Sequence, residues 1–335
     1  MNLIKDFHAM NKNKFIKSFL KFCSLFIGLI LILFIFFRNS DIDAETLKEL
    51  YSDSHSQFIS INGSKVHYKD QGAGFPIILI HGTSASLHTW DVWTENLIEN
   101  YRVIRMDLPA FGLTGATKNI SYDLESYNRF LESFTNKIGV SEFALAGNSL
   151  GGSIAWHYAS NHQKQVKQLI LIDPGGFPSE KGKPFVFRLA EIPILNLLLR
   201  YITPKSFIKE NLEQVYYDDS KITSELVDRY HHMILREGSR DAFIKRSKIV
   251  FKDQTGLLEK INTPTLILWG ENDIWIPVEN GPKFEAKLPN SRLVIMKETG
   301  HVPMEERPEE SLIHLLNFMK EYDLETLDLS EKENL

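Results

Sequence analysis

The sequence predicts an α/β protein with a mostly parallel sheet flanked by helices. Short continuous apolar runs that end in glycine, such as PIILIHG, FALAG and TPTLILWG, are typical of strands buried on both faces. Stretches with helical spacing of apolar residues separate most of these runs, and a regular alternation of strand and helix favours parallel strands with helices on both faces. One long interval between two strands is mostly helical instead. This pattern predicts a sheet with a helical insertion.

The predicted strands follow one another along most of the chain. FISINGSKVHYKDQG alternates around Asn62-Gly63, a dipeptide typical of tight hairpins, so it predicts two antiparallel strands. Buried strands are predicted at PIILIHG, YRVIRMDLP, FALAG, VKQLILIDPGG, TPTLILWG and SRLVIMKETG. Helices are predicted at DVWTENLIEN, DLESYNRFLESFTNKIG, GSIAWHYASNH and SLIHLLNFMKEY.

These elements divide the chain into consecutive segments. The predicted bounds are a cytoplasmic basic tail at 1–21, a transmembrane anchor at 22–37, a linker at 38–56, the first part of the core at 57–176, a helical lid at 177–261, the second part of the core at 262–322 and a polar tail at 323–335. The lid prediction depends on position. An insertion at the carboxyl ends of the strands covers the edge where ligands of such sheets bind.

The anchor is predicted from the uncharged run FCSLFIGLILILFIFF at 22–37. A helix of about this length approximates the hydrocarbon thickness of a bilayer. Lysines precede the run, and Asp41, Asp43 and Glu45 follow it, which predicts a cytoplasmic N-terminus and a body on the extracytoplasmic side. The alternatives are a cleaved signal peptide, although RNSDID offers no small-x-small cleavage site, and a buried helix.

Composition excludes several functional classes. The 335 residues carry a net charge of −5 with 24% charged residues, as in an ordinary globular protein. No basic run follows the first 21 residues, which argues against a nucleic-acid partner. Cys23 is the single cysteine, so an intramolecular disulfide and a cysteine zinc site are excluded. There is no P-loop or dinucleotide fingerprint and no metal-ligand spacing of histidines, so no cofactor or metal is expected.

The stretch AGNSLGGS at 146–153 carries the first sign of chemistry. GNSLG fits the G-x-S-x-G nucleophile elbow, and it lies where that motif requires, between a predicted strand and a predicted helix. The helix points its amino end at Ser149, where it favours negative charge. The alternative is a plain glycine-rich turn. We therefore take Ser149 as the candidate nucleophile.

A serine nucleophile needs a base, and the base needs an acid that orients it. His301, in KETGHVPMEE directly after the last strand, is the candidate base among eleven histidines. His81 follows an earlier strand and is interpreted as a structural residue of that turn. Asp273 in LWGENDIWIP fits the chain order Ser…Asp…His, and Asp173 in LIDPGG is the competing acid.

The oxyanion hole of such an elbow uses the backbone N–H after the nucleophile and one from a loop that follows an earlier strand. These rules select Leu150 and, in the loop HGTSAS, Thr83.

Together these motifs resemble the α/β-hydrolase superfamily with a helical lid. The HG loop, DLPAFGLT, GNSLGG, WGENDIWIP and GHVPMEERP stand in the order and spacing of that superfamily, from about Phe58 to Tyr322. The resemblance implies the triad Ser149, Asp273 and His301. Ala110 departs from the pattern, because the superfamily usually has glycine there; this stretch is expected to pack behind the site, with little consequence.

The resemblance implies a hydrolase that uses serine, which argues against the relatives that use aspartate, the haloalkane dehalogenases and epoxide hydrolases. Ester, thioester, amide and lactone substrates remain open. The sequence is similar to membrane-anchored monoacylglycerol lipases and esterases, so a small-molecule or lipid ester is the expected substrate. GNSLGG followed by LIDPGG is also similar to C–C bond hydrolases of ring-cleavage products. A noncatalytic binding protein on the same fold and a haloperoxidase-like activity are further alternatives. The sequence does not fix the oligomeric state.

Overall fold

The computed structural model describes residues 2–118, 120–178 and 182–322 of the chain. Its centre is an eight-stranded sheet. The strands are β1 Ser56–Ile61, β2 Ser64–Gln71, β3 Phe75–Ile80, β4 Tyr101–Met106, β5 Phe143–Asn148, β6 Val166–Ile172, β7 Thr265–Gly270 and β8 Ser291–Met296. They lie in the order β1-β2-β4-β3-β5-β6-β7-β8. Because β2 pairs antiparallel with β1 and β4 while the other pairs are parallel, the prediction of a mostly parallel sheet is confirmed.

The first two strands form the predicted hairpin. Ile61 lies opposite Ser64, so Asn62 and Gly63 alone make the turn. Their φ angles are 50° and 81°, and a two-residue turn that matches the twist of its strands requires such left-handed angles. Asparagine and glycine are the residues that adopt these angles most easily, so this local signal was sufficient to predict the turn.

Helices cover both faces of the sheet. They are α1 Asn2–Phe37, α2 Ala44–Tyr51, α3 Asp91–Leu97, α4 Leu124–Ile138, α5 Leu150–Asn161, α6 Phe185–Glu191, α7 Pro193–Leu199, α8 Lys205–Val215, α9 Ser224–Leu235, α10 Ser239–Ser247, α11 Asn280–Lys287, α12 Pro303–Glu306 and α13 Pro308–Glu321. Ile78 and Ile80 of β3 belong to a buried cluster with α4, α5 and α11. Ile77 and Leu79 belong to a second cluster with α3 and α13. Because neighbouring strand residues point to opposite faces, a continuous apolar run is needed to bury both.

Helices α6 to α10 lie between β6 and β7, and we call residues 185–247 the helical insert. Its helical character agrees with the sequence pattern. The insert is tied to the N-terminal linker: Arg240 Nη2 donates to Asp41 Oδ1 at 2.6 Å, and Ile42 forms a bridge with Arg236. These contacts place the end of α1 next to the insert.

The N-terminal region contains more helix than the predicted anchor. Asp43 begins α2 by accepting a hydrogen bond from the Thr46 N–H at 2.9 Å, as a helix N-cap does. Among the residues that the structure describes, no helix combines the length and the apolarity needed to cross a membrane, so the transmembrane anchor predicted at 22–37 is not supported. The polar tail predicted at 323–335 lies outside the described residues.

Candidate active site

Ser149 lies on a strained turn between β5 and α5. Its φ and ψ angles are 55° and −112°. Such angles cost about 1–3 kcal/mol for a residue other than glycine, and they persist only where the surroundings hold them. The Ser149 N–H donates to the Ile172 carbonyl at 3.0 Å, and the Ser149 carbonyl accepts from the Ser153 N–H at 2.9 Å. The strain is that of a nucleophile elbow.

The glycines around Ser149 let the elbow approach its neighbours closely. A Cβ atom on Gly147 would lie 2.2 Å from the Gly151 carbonyl oxygen. A Cβ on Gly151 would lie 2.1 Å from the carbonyl oxygen of Ile80 on β3. Both obstacles are backbone atoms that cannot rotate away. The turn therefore excludes any side chain at these two positions.

His301 and Asp273 form a buried pair at the same edge of the sheet. His301 Nδ1 lies 2.6 Å from Asp273 Oδ2. Asp273 Oδ1 accepts from the N–H groups of Trp275 and Ile276 at 2.8 and 2.9 Å, which fixes the carboxylate. An ionised carboxylate only accepts hydrogen bonds, so Nδ1 carries the proton and Nε2 is left with a free lone pair.

The backbone of His301 is also tied to the elbow. Its N–H donates to the Val215 carbonyl at 2.7 Å. Its carbonyl accepts from Asn148 Nδ2 at 2.9 Å, and the same nitrogen donates to the Ile172 carbonyl at 3.2 Å. Asn148 directly precedes Ser149, so it connects the histidine loop with the elbow. No local pattern in the sequence indicates this contact, because it joins residues far apart along the chain.

Ser149 and His301 line one cavity, but their side chains are not hydrogen-bonded to each other among the described residues. Such bonds are often long before substrate binds and tighten in the complex. The structure thus brings Ser149, His301 and Asp273 to one site, with the last two already hydrogen-bonded.

The proposed oxyanion donors also border this cavity. Leu150 begins α5, so its N–H has no acceptor within the helix, and Thr83 lies in the loop after β3. His81 holds this loop: Nδ1 donates to the Gly82 carbonyl at 2.7 Å, and Nε2 accepts from the Leu108 N–H at 2.9 Å. Burial lowers the pKa of His81, which keeps its ring neutral. These contacts support the structural role that the sequence predicts for His81.

Asp173, the competing acid, lies beside Asp273. It is fully buried, and its Oδ1 accepts from the Gly270 N–H at 2.9 Å while its Oδ2 has no hydrogen-bond partner. Burial and the charge of Asp273 raise the pKa of Asp173 well above its usual value. Two ionised carboxylates this close repel each other, so we take Asp173 as protonated and Asp273 as ionised.

Asp173, Asp273 and His301 are also the described residues whose ligand atoms come closest to a metal-binding arrangement, within 4.8 Å of one another. The atoms of Asp273 and His301 that face each other are already joined by their short hydrogen bond. A protonated Asp173 is a poor ligand, since metal ions bind the deprotonated carboxylate. The group is therefore better explained as a hydrogen-bonding network.

A cavity of about 590 Å³ extends from Ser149 to the helical insert. Most of its wall is apolar. From the sheet edge it is lined by Gly82, Thr83, Ala110, Phe111, Ser149, Leu150, Trp275 and His301, and from the insert by Leu199, Ile208, Leu212, Tyr230, Phe243, Ile244 and Arg246. Cavities of this size and character hold small organic molecules.

Ala110 borders the cavity and is also fully buried in the core cluster next to the site. The loop after β4 folds back on itself through a bond from the Ala110 N–H to the Gly115 carbonyl at 2.8 Å, and Ala110 has a φ of 90° there. Glycine tolerates this angle, whereas alanine is strained by it.

Comparison with known proteins identifies the class of this protein. Residues 76–203 match the family described as the alpha/beta hydrolase fold. A 2-hydroxy-6-oxononadienedioate/2-hydroxy-6-oxononatrienedioate hydrolase of Paraburkholderia phymatum is 30% identical over 266 residues, which cover 76% of this chain and 91% of that protein. The uncharacterized hydrolase YugF of Bacillus subtilis is 28% identical, with 76% and 93% covered.

A solved structure is similar over more of the chain. The crystal structure of a membrane phospholipase A, described as a bacterial virulence factor, is 26% identical and covers 93% of this chain and 99% of its own, with a TM-score of 0.72. Taken together, these similarities and the fold define a hydrolase of the α/β type. The chain belongs to the α/β-hydrolase fold family.

Proposed function

We propose that this protein is a serine hydrolase that cleaves carboxylic esters, with acyl esters as its substrates, through a covalent acyl-enzyme. The observation that carries the proposal is the bond from His301 Nδ1 to Asp273 at 2.6 Å, which leaves Nε2 free in the cavity that Ser149 lines. A strained serine at a helix start and a correctly oriented imidazole are the two requirements of acyl transfer by serine.

In the proposed mechanism, His301 Nε2 takes the proton of the Ser149 hydroxyl as the oxygen attacks the ester carbonyl. The N–H groups of Thr83 and Leu150 stabilise the negative charge that develops on the carbonyl oxygen. The imidazolium, stabilised by Asp273, then protonates the departing alcohol. Water, activated by His301 in the same way, releases the acid and restores the serine.

We further propose that the helical insert acts as a lid and that the acyl chain lies against its apolar side chains. The insert supplies Leu199, Ile208 and Phe243 to the wall of the cavity. The similarity to the membrane phospholipase A also supports an acyl ester as the substrate, rather than a small polar molecule.

The insert and α1 together support association with a lipid surface. The insert exposes the large side chains of Phe185, Leu197 and Tyr201. Helix α1 exposes apolar side chains between Phe19 and Phe37. Phe34 packs edge-on against Tyr201 with the ring centroids 5.6 Å apart, so the two surfaces adjoin. The similarity to the membrane phospholipase A covers 93% of this chain. The residues after Phe37 make up a smaller share of the chain, so the similarity includes part of α1. Extracytoplasmic placement of the body stays a prediction from the lysine distribution.

Flotation of the full-length protein with phospholipid vesicles tests this association. We expect the native protein to float and Leu197→Ser to float less, because serine removes apolar area from the surface. Ile313→Ser is the matched control, since Ile313 is exposed on α13, outside the insert. Equal flotation of all three proteins would count against a lipid-facing insert.

Hydrolysis of the 4-nitrophenyl esters of acetate, butyrate, octanoate and laurate tests the proposed activity. We expect turnover that favours the longer chains and disappears in Ser149→Ala. Ser160→Ala is the control, because Ser160 lies on the same helix and bonds only to the His157 carbonyl and to Asn161. Activity confined to acetate and butyrate would contradict the acyl-chain proposal. An inactive but folded native protein would favour a noncatalytic binding protein.

A C–C bond hydrolase is the second candidate. It is favoured by the similarity to the Paraburkholderia phymatum enzyme, 91% of which the chain covers. Incubation with 2-hydroxy-6-oxononadienedioate, followed by its ultraviolet absorbance, distinguishes the two functions. Turnover of this compound with little ester hydrolysis would replace the first proposal by the second.

A further inference from the structure

Arg246 is a cationic side chain in the wall of the cavity that the proposed mechanism does not use. It lies on α10 of the helical insert, and the same cavity is lined by Ser149. Its Nε is inaccessible and has no hydrogen-bond partner. Arg246 is half-buried and borders the space that a substrate would fill.

No carboxylate pairs with Arg246 among the described residues. Two other arginines of the insert are paired, Arg240 with Asp41 at 2.6 Å and Arg229 with Glu305 at 3.5 Å. The polar neighbour of the Arg246 guanidinium is the Tyr127 hydroxyl, which hydrogen-bonds to it, is neutral because burial raises its pKa, and donates to the Pro109 carbonyl at 3.0 Å. Burial lowers the pKa of Arg246, while the neighbouring Tyr127 opposes this effect. Arginine nevertheless remains charged in proteins.

The acidic side chains that line the cavity are occupied elsewhere. Asp123 caps α4 by accepting from the Ser126 N–H at 2.7 Å, and it also accepts from the Ser121 hydroxyl at 2.6 Å. Glu125 accepts from Gln254 Nε2 at 3.1 Å. Neither carboxylate forms an ion pair with Arg246. The positive charge of Arg246 is therefore uncompensated in the described part of the protein.

A partly buried charge with no opposite charge beside it is costly, and part of this cost is recovered when an opposite charge binds. Guanidinium groups bind carboxylates and phosphates through paired N–H donors, which makes them well suited to oxyanions. We propose that Arg246 binds an oxyanionic group, carboxylate or phosphate, carried by the substrate beneath the helical insert. The inference rests on the proposed ester hydrolysis and gives its substrate a charged end.

Matched pairs of esters test this proposal. For carboxylate, the pair is mono(4-nitrophenyl) adipate and 4-nitrophenyl hexanoate, in which a carboxylate replaces a methyl group. For phosphate, the pair is lauroyl lysophosphatidate and monolaurin. We expect the native protein to prefer the anionic member of at least one pair, and the pair that shows the preference identifies the source of the oxyanion.

The variant Arg246→Gln is expected to raise KM for the preferred anionic ester by about 10-fold or more, because a hydrogen bond between charged groups is lost, and to change KM for the neutral ester much less. Lys245→Gln is the matched control, since Lys245 is the exposed neighbour on the same helix. If Arg246→Gln does not fold, Arg246→Lys decides: a reduced preference for the anionic ester supports the proposal. No anionic preference in the native protein, or equal losses on both members of a pair, would overturn it.

Binding to Ser149→Ala separates this proposal from the proposed function. Calorimetry with mono(4-nitrophenyl) adipate and with lauroyl lysophosphatidate measures binding without turnover. Binding of either anionic ester that Arg246→Gln weakens in the Ser149→Ala background, together with a native protein that hydrolyses no ester, would retain the anion site and reject the ester hydrolase. Ester hydrolysis without any effect of Arg246→Gln on the binding of both anionic esters would do the reverse.

Discussion

The carboxyl edge of the sheet and the helical insert line the same cavity, but different contacts hold them. At the sheet edge, backbone groups fix the loops: the Ser149 N–H bonds to the Ile172 carbonyl, and the Asp173 N–H bonds to the Leu268 carbonyl. The insert is joined to the linker by side-chain pairs as well, such as Arg240 with Asp41. It also exposes large apolar residues, including Phe185 and Leu197.

This difference separates two tasks. Reacting groups have to be held within a fraction of an ångström, and buried backbone contacts provide that precision. Recognition of a substrate tolerates more variation in the positions of the contacting atoms. Side chains on short helices can provide this recognition with little effect on the stability of the fold. We therefore expect substitutions at the sheet edge to affect rate and folding, and substitutions in the insert to affect substrate preference.

The largest expected effect is the loss of the nucleophile or the base. Ser149→Ala and His301→Ala should each lower kcat by about 10⁴-fold or more, and the double variant should be no worse, because the two groups act as a unit. In the insert, Phe243→Ala should instead change KM by about 10-fold or less. Steady-state kinetics on 4-nitrophenyl octanoate measures all four. A fall in kcat for Phe243→Ala as large as that for His301→Ala would contradict the separate roles of the insert and the sheet edge.

The next effect concerns folding of the elbow. Gly151→Ala places a Cβ 2.1 Å from the Ile80 carbonyl oxygen, so we expect about 3 kcal/mol or more of lost stability, at the upper end of overpacking. Gly256→Ala is the matched control, because nothing lies within 4 Å of its added Cβ and the residue is exposed. Urea unfolding compares them. Similar midpoints for both variants would show that the elbow is less tightly packed than described.

Asp173→Asn tests the second carboxyl through pH. The raised pKa means that the folded protein keeps a proton which the unfolded chain loses above about pH 4, so the native protein loses stability as pH rises toward that pKa. The asparagine variant lacks this loss, because an amide does not ionise in this range. Its melting temperature should therefore exceed that of the native protein by an amount that grows with pH. A difference that shrinks as pH rises would mean that Asp173 is ionised.

The smallest effect is expected at Ala110. Replacing it by glycine relieves strain at a φ of 90° but adds entropy to the unfolded chain, so the net gain should be about 1 kcal/mol or less. Thermal unfolding measures it, and a loss of stability would contradict the strain assigned to this loop. Ala116→Gly is a suitable control, because Ala116 has no positive φ.

The strands and the candidate triad were predictable because their signals are local. A continuous apolar run identifies a buried strand such as β3, and GNSLG identifies the elbow at Ser149 from five consecutive residues. His301 and Asp273 follow strands directly, so chain order placed them at the correct edge. The hydrogen bond between them, though, is seen only in the folded structure.

Other features depend on contacts between distant segments and left no local signal. Asp173 and Asp273 lie on loops that follow different strands. From the sequence they are alternative candidates for the acid, whereas in the structure they are neighbours. Arg246 lies on α10, a short helix of mixed polarity, and nothing in that stretch indicates that its side chain lines the cavity. The backbone angle of Ala110 was also hidden, because the loop around it closes only when the strands are in place.

Mass spectrometric mapping of a fluorophosphonate adduct on the whole chain tests most directly whether Ser149 is an activated nucleophile. We expect one modified residue, Ser149, with labelling lost in Ser149→Ala and greatly slowed in His301→Ala. A folded native protein that stays unlabelled, or that carries the adduct on another residue, would contradict the assignment of Ser149 as an activated nucleophile.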